Sequence, residues 1–215
     1  YIIITLLILL SFAMSNFQAP QNNLLFGYYP NYGNPSEVSN FNSWATSNNV
    51  PKISISGTFV HLDDISAFTY YLNEYSNTDT IPFINIMSNK NNPTCNDVDT
   101  ILVGGCDSYL VDLSTLIKNT NKKVFVAFFP EMNGSWTFLD YYGTSISDAT
   151  KYKQAYIRFR SKMLTDISNK NLINFVFAPN GWSPSILNNF ENFYPGENFV
   201  DIIGFSSFNF NTCGG

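Results

Sequence analysis

Glu131 follows directly on the apolar run Val124-Phe125-Val126-Ala127-Phe128-Phe129-Pro130 and opens the segment Glu131-Met132-Asn133-Gly134-Ser135-Trp136. An unbroken apolar run of this kind reads as a strand buried on both faces, as in a parallel sheet. A carboxylate at the C-terminal mouth of such a strand, with a Trp shortly after it, suits a catalytic residue of a (β/α) barrel. Taken alone, the position also suits a strand-ending Glu that solvates a loop. The elements around it separate the two readings.

Apolar β-type runs recur at Leu24–Tyr29, Lys52–Phe59, Ile81–Met87, Lys123–Phe129, Ile173–Ala178 and Val200–Phe205. Helical patterns alternate with them. Leu110, Leu113, Leu116 and Ile117 fall at helical spacing after the third run. Tyr152, Tyr156, Phe159, Met163 and Ile167 keep one apolar stripe after the fourth, with Asp148 placed as its N-cap. Strands alternating with helices predict βαβ units and a parallel sheet. A doubly wound nucleotide-binding sheet alternates in the same way but wants a Gly-rich turn after its first strand. Here that turn is Tyr29-Pro30-Asn31-Tyr32-Gly33-Asn34-Pro35, with neither G-x-G-x-x-G nor a P-loop. The expected fold is therefore α/β, a (β/α)8 TIM barrel that is incomplete here, with about six βα units. No cofactor is expected.

The chain opens on Tyr1-Ile2-Ile3-Ile4-Thr5-Leu6-Leu7-Ile8-Leu9-Leu10 and reaches Ala13-Met14-Ser15, a small-x-small site. Residues 1–15 are expected to be the remnant of a secretory signal peptide. As a membrane anchor the run falls short of the roughly 18 apolar residues a span requires. The expected product is secreted, without stable membrane insertion, and residues 20–215 form one partial catalytic barrel, truncated at both ends. A net charge of −5 and the lack of any basic stretch argue against nucleic acid as a partner. Aromatic residues at 17% against charged residues at 13% suit a folded enzyme or a sugar binder. Cys95 and Cys106 bracket a loop rich in Asn, Pro and Gly and are expected to close it as a disulfide in an oxidising compartment. Cys213 has no obvious partner. With no Cys-x-x-Cys pair and a single His, no metal site is expected.

Three segments resemble glycoside hydrolase family 26, the β-mannanases and related endo-β-glycanases. They are Phe128–Trp136, Asn174-Phe175-Val176-Phe177-Ala178-Pro179-Asn180, and Tyr194-Pro195-Gly196-Glu197 running on to Gly204. Weaker similarity extends from about Leu24 to Asn209. The resemblance implies that Glu131 is the general acid/base at the end of strand four, that the nucleophile is a Glu at the end of strand seven, beyond Gly215, and that the partner is a polysaccharide, most often β-1,4-mannan. Retaining hydrolysis needs such a pair, one carboxylic acid to protonate the leaving oxygen and one carboxylate to attack the anomeric carbon. An apolar wall raises a carboxyl pKa, and Phe128, Phe129 and Trp136 are the residues expected to build it. Trp136 matches the family's sugar-stacking indole, Asn133 a position whose amide lies near the acid, and Trp182 is a second candidate platform. Core packing is the competing reading of both indoles. The resemblance also shows departures. Pro130 and Ala127 stand where family members often carry His and Arg, and Phe208 stands where the strand-six pattern has Tyr. A catalytically inactive carbohydrate-binding barrel is the alternative function.

Asn133-Gly134-Ser135 is an N-glycosylation sequon expected to be unmodified, since a glycan there would block the cleft. His61, Asp63 and Asp64 read as a solvated loop or helix N-terminus. Glu197 and Asp201 flank a strand start at the barrel's bottom face, where stability is the usual role, and Tyr194 reads as structural.

Overall fold

The computed structural model describes residues 25–30, 34–89, 91–134, 146–181 and 189–206. Six parallel strands lie side by side in chain order: β1 (Phe26–Tyr28), β2 (Ile53–His61), β3 (Ile81–Met87), β4 (Val124–Phe128), β5 (Ile173–Phe177) and β6 (Ile202–Ile203). Between them run α1 (Pro35–Ser47), α2 (Ile65–Tyr75), the short α3 (Val98–Leu102), α4 (Asp107–Thr120) and α5 (Ile146–Met163). Short 3-10 turns at Ile167–Asn171 and Phe190–Phe193 flank β5.

The strand order never reverses, so there is no switch point of the doubly wound kind. The two faces of the sheet also differ. Val60, Ile84, Ile86, Val124, Val126, Phe128, Phe175 and Phe177 face a large core shared with α2, α3, α4 and α5. Ile55, Phe125, Ala127, Val176, Ala178 and Ile202 form a second cluster on the opposite face, and every member comes from a strand or the residue just past one. Helices on one face and strand side chains alone on the other make the curled, incomplete (β/α)8 barrel, with the helix-free face concave.

α5 packs its stripe onto β4 and β5. Tyr152, Tyr156, Phe159 and Met163 are fully buried, and the Tyr152 hydroxyl donates to the Phe128 carbonyl at 2.9 Å. Two local expectations need correction. The helix starts at Ile146, so Asp148 lies inside the first turn, where its charge still suits the helix dipole. It also ends at Met163, and Ile167 lies beyond it, at the start of a 3-10 turn.

α1 and α2 start on side-chain caps, Asn34 bonding the Ser36 amide and Asp64 the Ala67 amide. Asp97 caps α3 through a reciprocal pair with Thr100. The Cys95 and Cys106 sulfurs are joined, with their Cα atoms 4.9 Å apart, which ties the loop after β3 to the start of α4. Among the described residues no helix is long and apolar enough to cross a membrane.

Candidate active site

β4 stops at Phe128, yet the chain beyond it keeps bonding to both neighbouring strands. The Phe129 amide donates to the Ile86 carbonyl at 2.9 Å, and the Glu131 amide donates to the Ala178 carbonyl at 2.7 Å. Pro130 between them has no N–H to satisfy. Phe129 and Glu131 adopt φ of 44° and 58°, left-handed backbone that ordinary residues avoid. Each such residue costs on the order of 1–3 kcal/mol. This strain sits at the C-terminal rim of the central strand and turns the chain sharply there. Glu131 is half-buried, and the turn closes through the Gly134 amide on the Glu131 carbonyl at 2.8 Å.

Asn133 locks this turn to the end of β5. Its Nδ2 donates to the Asn180 carbonyl at 3.1 Å, and its Oδ1 accepts from the Asn180 amide at 2.8 Å. Asn133 is fully buried, so the folded protein has no room for a glycan on it. Asn180 bridges in turn to Ser206 past the end of β6. The ends of β4, β5 and β6 are thus held as one rim, with Glu131 on it.

The apolar wall expected from Phe128 and Phe129 is not at this rim. Both rings sink into the helix-side core, stacked on one another at 4.2 Å, and Phe128 also stacks on Phe159 at 4.8 Å. The reason is the left-handed turn at Phe129, which breaks the strand's alternation and leaves both side chains on one face. Trp136 and Trp182 lie outside the described residues, as do Phe208, Cys213 and residues 1–15. Tyr194 packs edge-on against Phe177 at 5.4 Å. A mostly apolar hollow lined by Phe177, Phe190, Glu191, Tyr194, Ile203 and Phe205 lies on the helix side of β5 and β6, so it is not the cleft of Glu131.

The three polar residues at the end of β2 part company in the structure. Asp64 caps α2. Asp63 accepts from Asn89 Nδ2 at 2.9 Å and Asn92 Nδ2 at 2.8 Å, clasping the loop after β3. His61 is the last residue of β2, two residues beyond the expected strand end. At the opposite edge, Asp201 accepts from the Phe175 amide at 2.8 Å just before β6. Burial raises the Asp201 carboxyl pKa from its ordinary value, against the opposing pull of that amide and of Arg160. Sequence reasoning missed the Asn133–Asn180 clasp, because nothing local links two residues 47 positions apart.

Comparison with known proteins adds the family. The sequence profile described as glycosyl hydrolase family 26 matches residues 100–213. A comparison with curated protein sequences yields no significant match. Among solved structures, a Bacillus subtilis mannanase superposes with a TM-score of 0.64 at 19% identity, covering 88% of this chain and 65% of that one. The YdhT protein from Bacillus subtilis gives 0.63 at 18% identity, covering 90% and 66%. A modular endo-β-1,4-mannanase from Cellulomonas fimi gives 0.59 at 16% identity, covering 86% and 48%. The chain therefore spans just under two thirds of the length of the first two, and at these identities the likeness establishes the fold.

Proposed function

Because the chain belongs to glycosyl hydrolase family 26, we propose that it is the larger part of a secreted endo-β-glycanase cutting β-1,4-linked polysaccharide, with mannan the first substrate to test. The observation that carries the proposal is Glu131, a half-buried carboxylate on a strained turn at the C-terminal rim of the central strand. Active sites of (β/α)8 enzymes are built at this rim. In this reading Glu131 protonates the leaving glycosidic oxygen, then deprotonates the water that releases the sugar. The nucleophile is a second carboxylate contributed by the rest of the barrel. Asn133 acts through the backbone, holding the β4 and β5 ends so that Glu131 keeps its aim. Trp136 and Trp182 are the proposed stacking platforms for sugar rings. The bonded Cys95 and Cys106 support secretion, since disulfides persist in oxidising compartments.

The test is Glu131→Gln in the full-length protein. Loss of a general acid should lower hydrolysis of mannan by about 10²–10⁴-fold. Aryl glycosides with activated leaving groups need little protonation, so their glycosylation step should suffer less. Equal loss on both substrate classes, with the fold intact, would refute the role. A binding barrel without catalysis is the second reading, favoured by Phe208 in place of the strand-six Tyr. It requires that the unaltered full-length protein bind mannan, glucan or xylan and hydrolyse none of them.

A further inference from the structure

β2 places an aromatic corner and a histidine on the concave face, and neither has a role in the site described above. The orientation follows from strand alternation. Ser56 reaches the Tyr75 hydroxyl of α2 at 2.7 Å, and Val60 and Leu62 join the helix-side core. Gly57, Phe59 and His61 therefore project from the other face, the face on which Ile55 packs with strand residues alone. Phe59 is 40% exposed there, although its partner on β3, Asn85, is buried.

A second ring joins it over Gly57. Tyr29 lies across the strand there, and even an added Cβ at Gly57 would only reach contact distance, 3.4 Å from Tyr29 Cδ2. Tyr29 then meets Phe59 at 5.5 Å with an interplanar angle of 66°. The two rings form a corner, one wall set steeply against the other.

His61 stands at the mouth above this corner. Its Nδ1 is 2.5 Å from the Ser88 carbonyl oxygen. A carbonyl only accepts, so Nδ1 carries the hydrogen, and the tautomer this selects is the one with its lone pair on Nε2. Among the described residues nothing bonds to Nε2. The end of β2 lies two strands from the end of β4, about 10 Å along the rim at ordinary strand spacing. A glycan chain with its scissile bond at Glu131 reaches that far.

We propose that Tyr29, Phe59 and His61 form a sugar subsite for one pyranose unit of the same β-linked glycan, away from the cleaved bond. A pyranose has an apolar C–H face and a rim of hydroxyls. The aromatic corner meets the first, and Nε2 accepts a hydrogen bond from the second. An apolar ligand would leave Nε2 unused, and β2 carries no Lys or Arg to hold an anionic one. The proposal rests on the glycan reading above, but it is tested separately from catalysis.

Binding of β-1,4-mannohexaose is measured by calorimetry in the full-length protein carrying Glu131→Gln, so that the ligand survives, with and without Phe59→Leu or His61→Asn. Leu keeps apolar volume but removes the ring. Asn keeps a donor for the Ser88 carbonyl but removes Nε2. Phe59→Leu should weaken affinity roughly tenfold and His61→Asn by about three- to tenfold. Melting temperatures of both should stay within about 2 °C of the parent. Unchanged affinity in both variants refutes the subsite, even where the unaltered enzyme hydrolyses mannan normally. Weakened affinity upholds the subsite even where the unaltered protein hydrolyses nothing, the outcome that would remove the enzymatic reading alone. Absence of hexaose binding in the parent overturns both.

Discussion

Replacing Asn133 by Ala should separate positioning from substrate contact in this site. The side chain is fully buried and makes two bonds to one backbone unit, 3.1 Å to the Asn180 carbonyl and 2.8 Å from the Asn180 amide. Its removal takes an acceptor from a buried N–H and a donor from a buried carbonyl. A buried polar group deprived of its partner costs about 1–3 kcal/mol, and the carbonyl tolerates the loss better than the amide. The expected destabilisation is therefore about 2–4 kcal/mol, a large part of the roughly 5–15 kcal/mol that holds a domain together. Urea unfolding measures it as a lower midpoint at unchanged slope. On the proposed reading the same clasp aims Glu131, two residues away, and a misplacement of about 1 Å can cost about 10²-fold in rate. The full-length Asn133→Ala protein should thus lose kcat far more than it gains KM. Asn133→Asp sharpens the test, because it can restore both bonds only when protonated and should be closer to the parent in acid than at neutral pH. If Asn133→Ala leaves the urea midpoint in place while substrate affinity collapses, the clasp is not what Asn133 is for, and its amide meets the sugar directly.

Replacing Cys95 and Cys106 together by Ser opens a loop of sequence separation 11 and should cost about 2–3 kcal/mol, read by thermal melting with and without reductant; a parent insensitive to reductant would count against the bond. At Gly105 an added Cβ would come within 2.2 Å of the Thr94 carbonyl oxygen, so Gly105→Ala should destabilise by about 1–3 kcal/mol, and an unshifted melting curve would show that this loop yields freely. Asp201 has a raised folded-state pKa relative to its ordinary 3.8, chiefly through burial. Its stabilising contribution is therefore present below the unfolded pKa and lost as pH rises through the folded one. Asn at this position keeps an acceptor for the Phe175 amide, so the stability of Asp201→Asn relative to the parent should rise as pH climbs through the carboxylate range. A difference that is flat or falls over that range would refute the assignment.

Much of the barrel is legible in the chain because burial leaves a local signature. Val124–Phe128 is buried on both faces in the structure, and its side chains enter both clusters, which is why the run is apolar without interruption. The α4 and α5 stripes are legible for the same reason, since one face of each helix meets the sheet. Boundaries were less legible. β2 continues to His61 although Phe59 and His61 carry no alternation that a half-buried strand would advertise, because the concave face of an open sheet does not demand apolar side chains. β6 shrinks to Ile202–Ile203, since pairing with β5 supports only that stretch.

The sequence by itself determined that strands and helices alternate, that a carboxylate follows the most apolar strand, and that the surrounding motif resembles family 26. These are properties of neighbours along the chain, set by periodicity and by residue type. Only the tertiary structure decided that Phe128 and Phe129 turn inward together, that Asn133 is spent on the Asn180 backbone, and that His61 parts from Asp63 and Asp64 to face the concave side. Each of these depends on the register of one strand against another or on a left-handed turn at the end of β4. Register and turn handedness are settled by which distant backbone groups find partners, and no spacing within one segment encodes that.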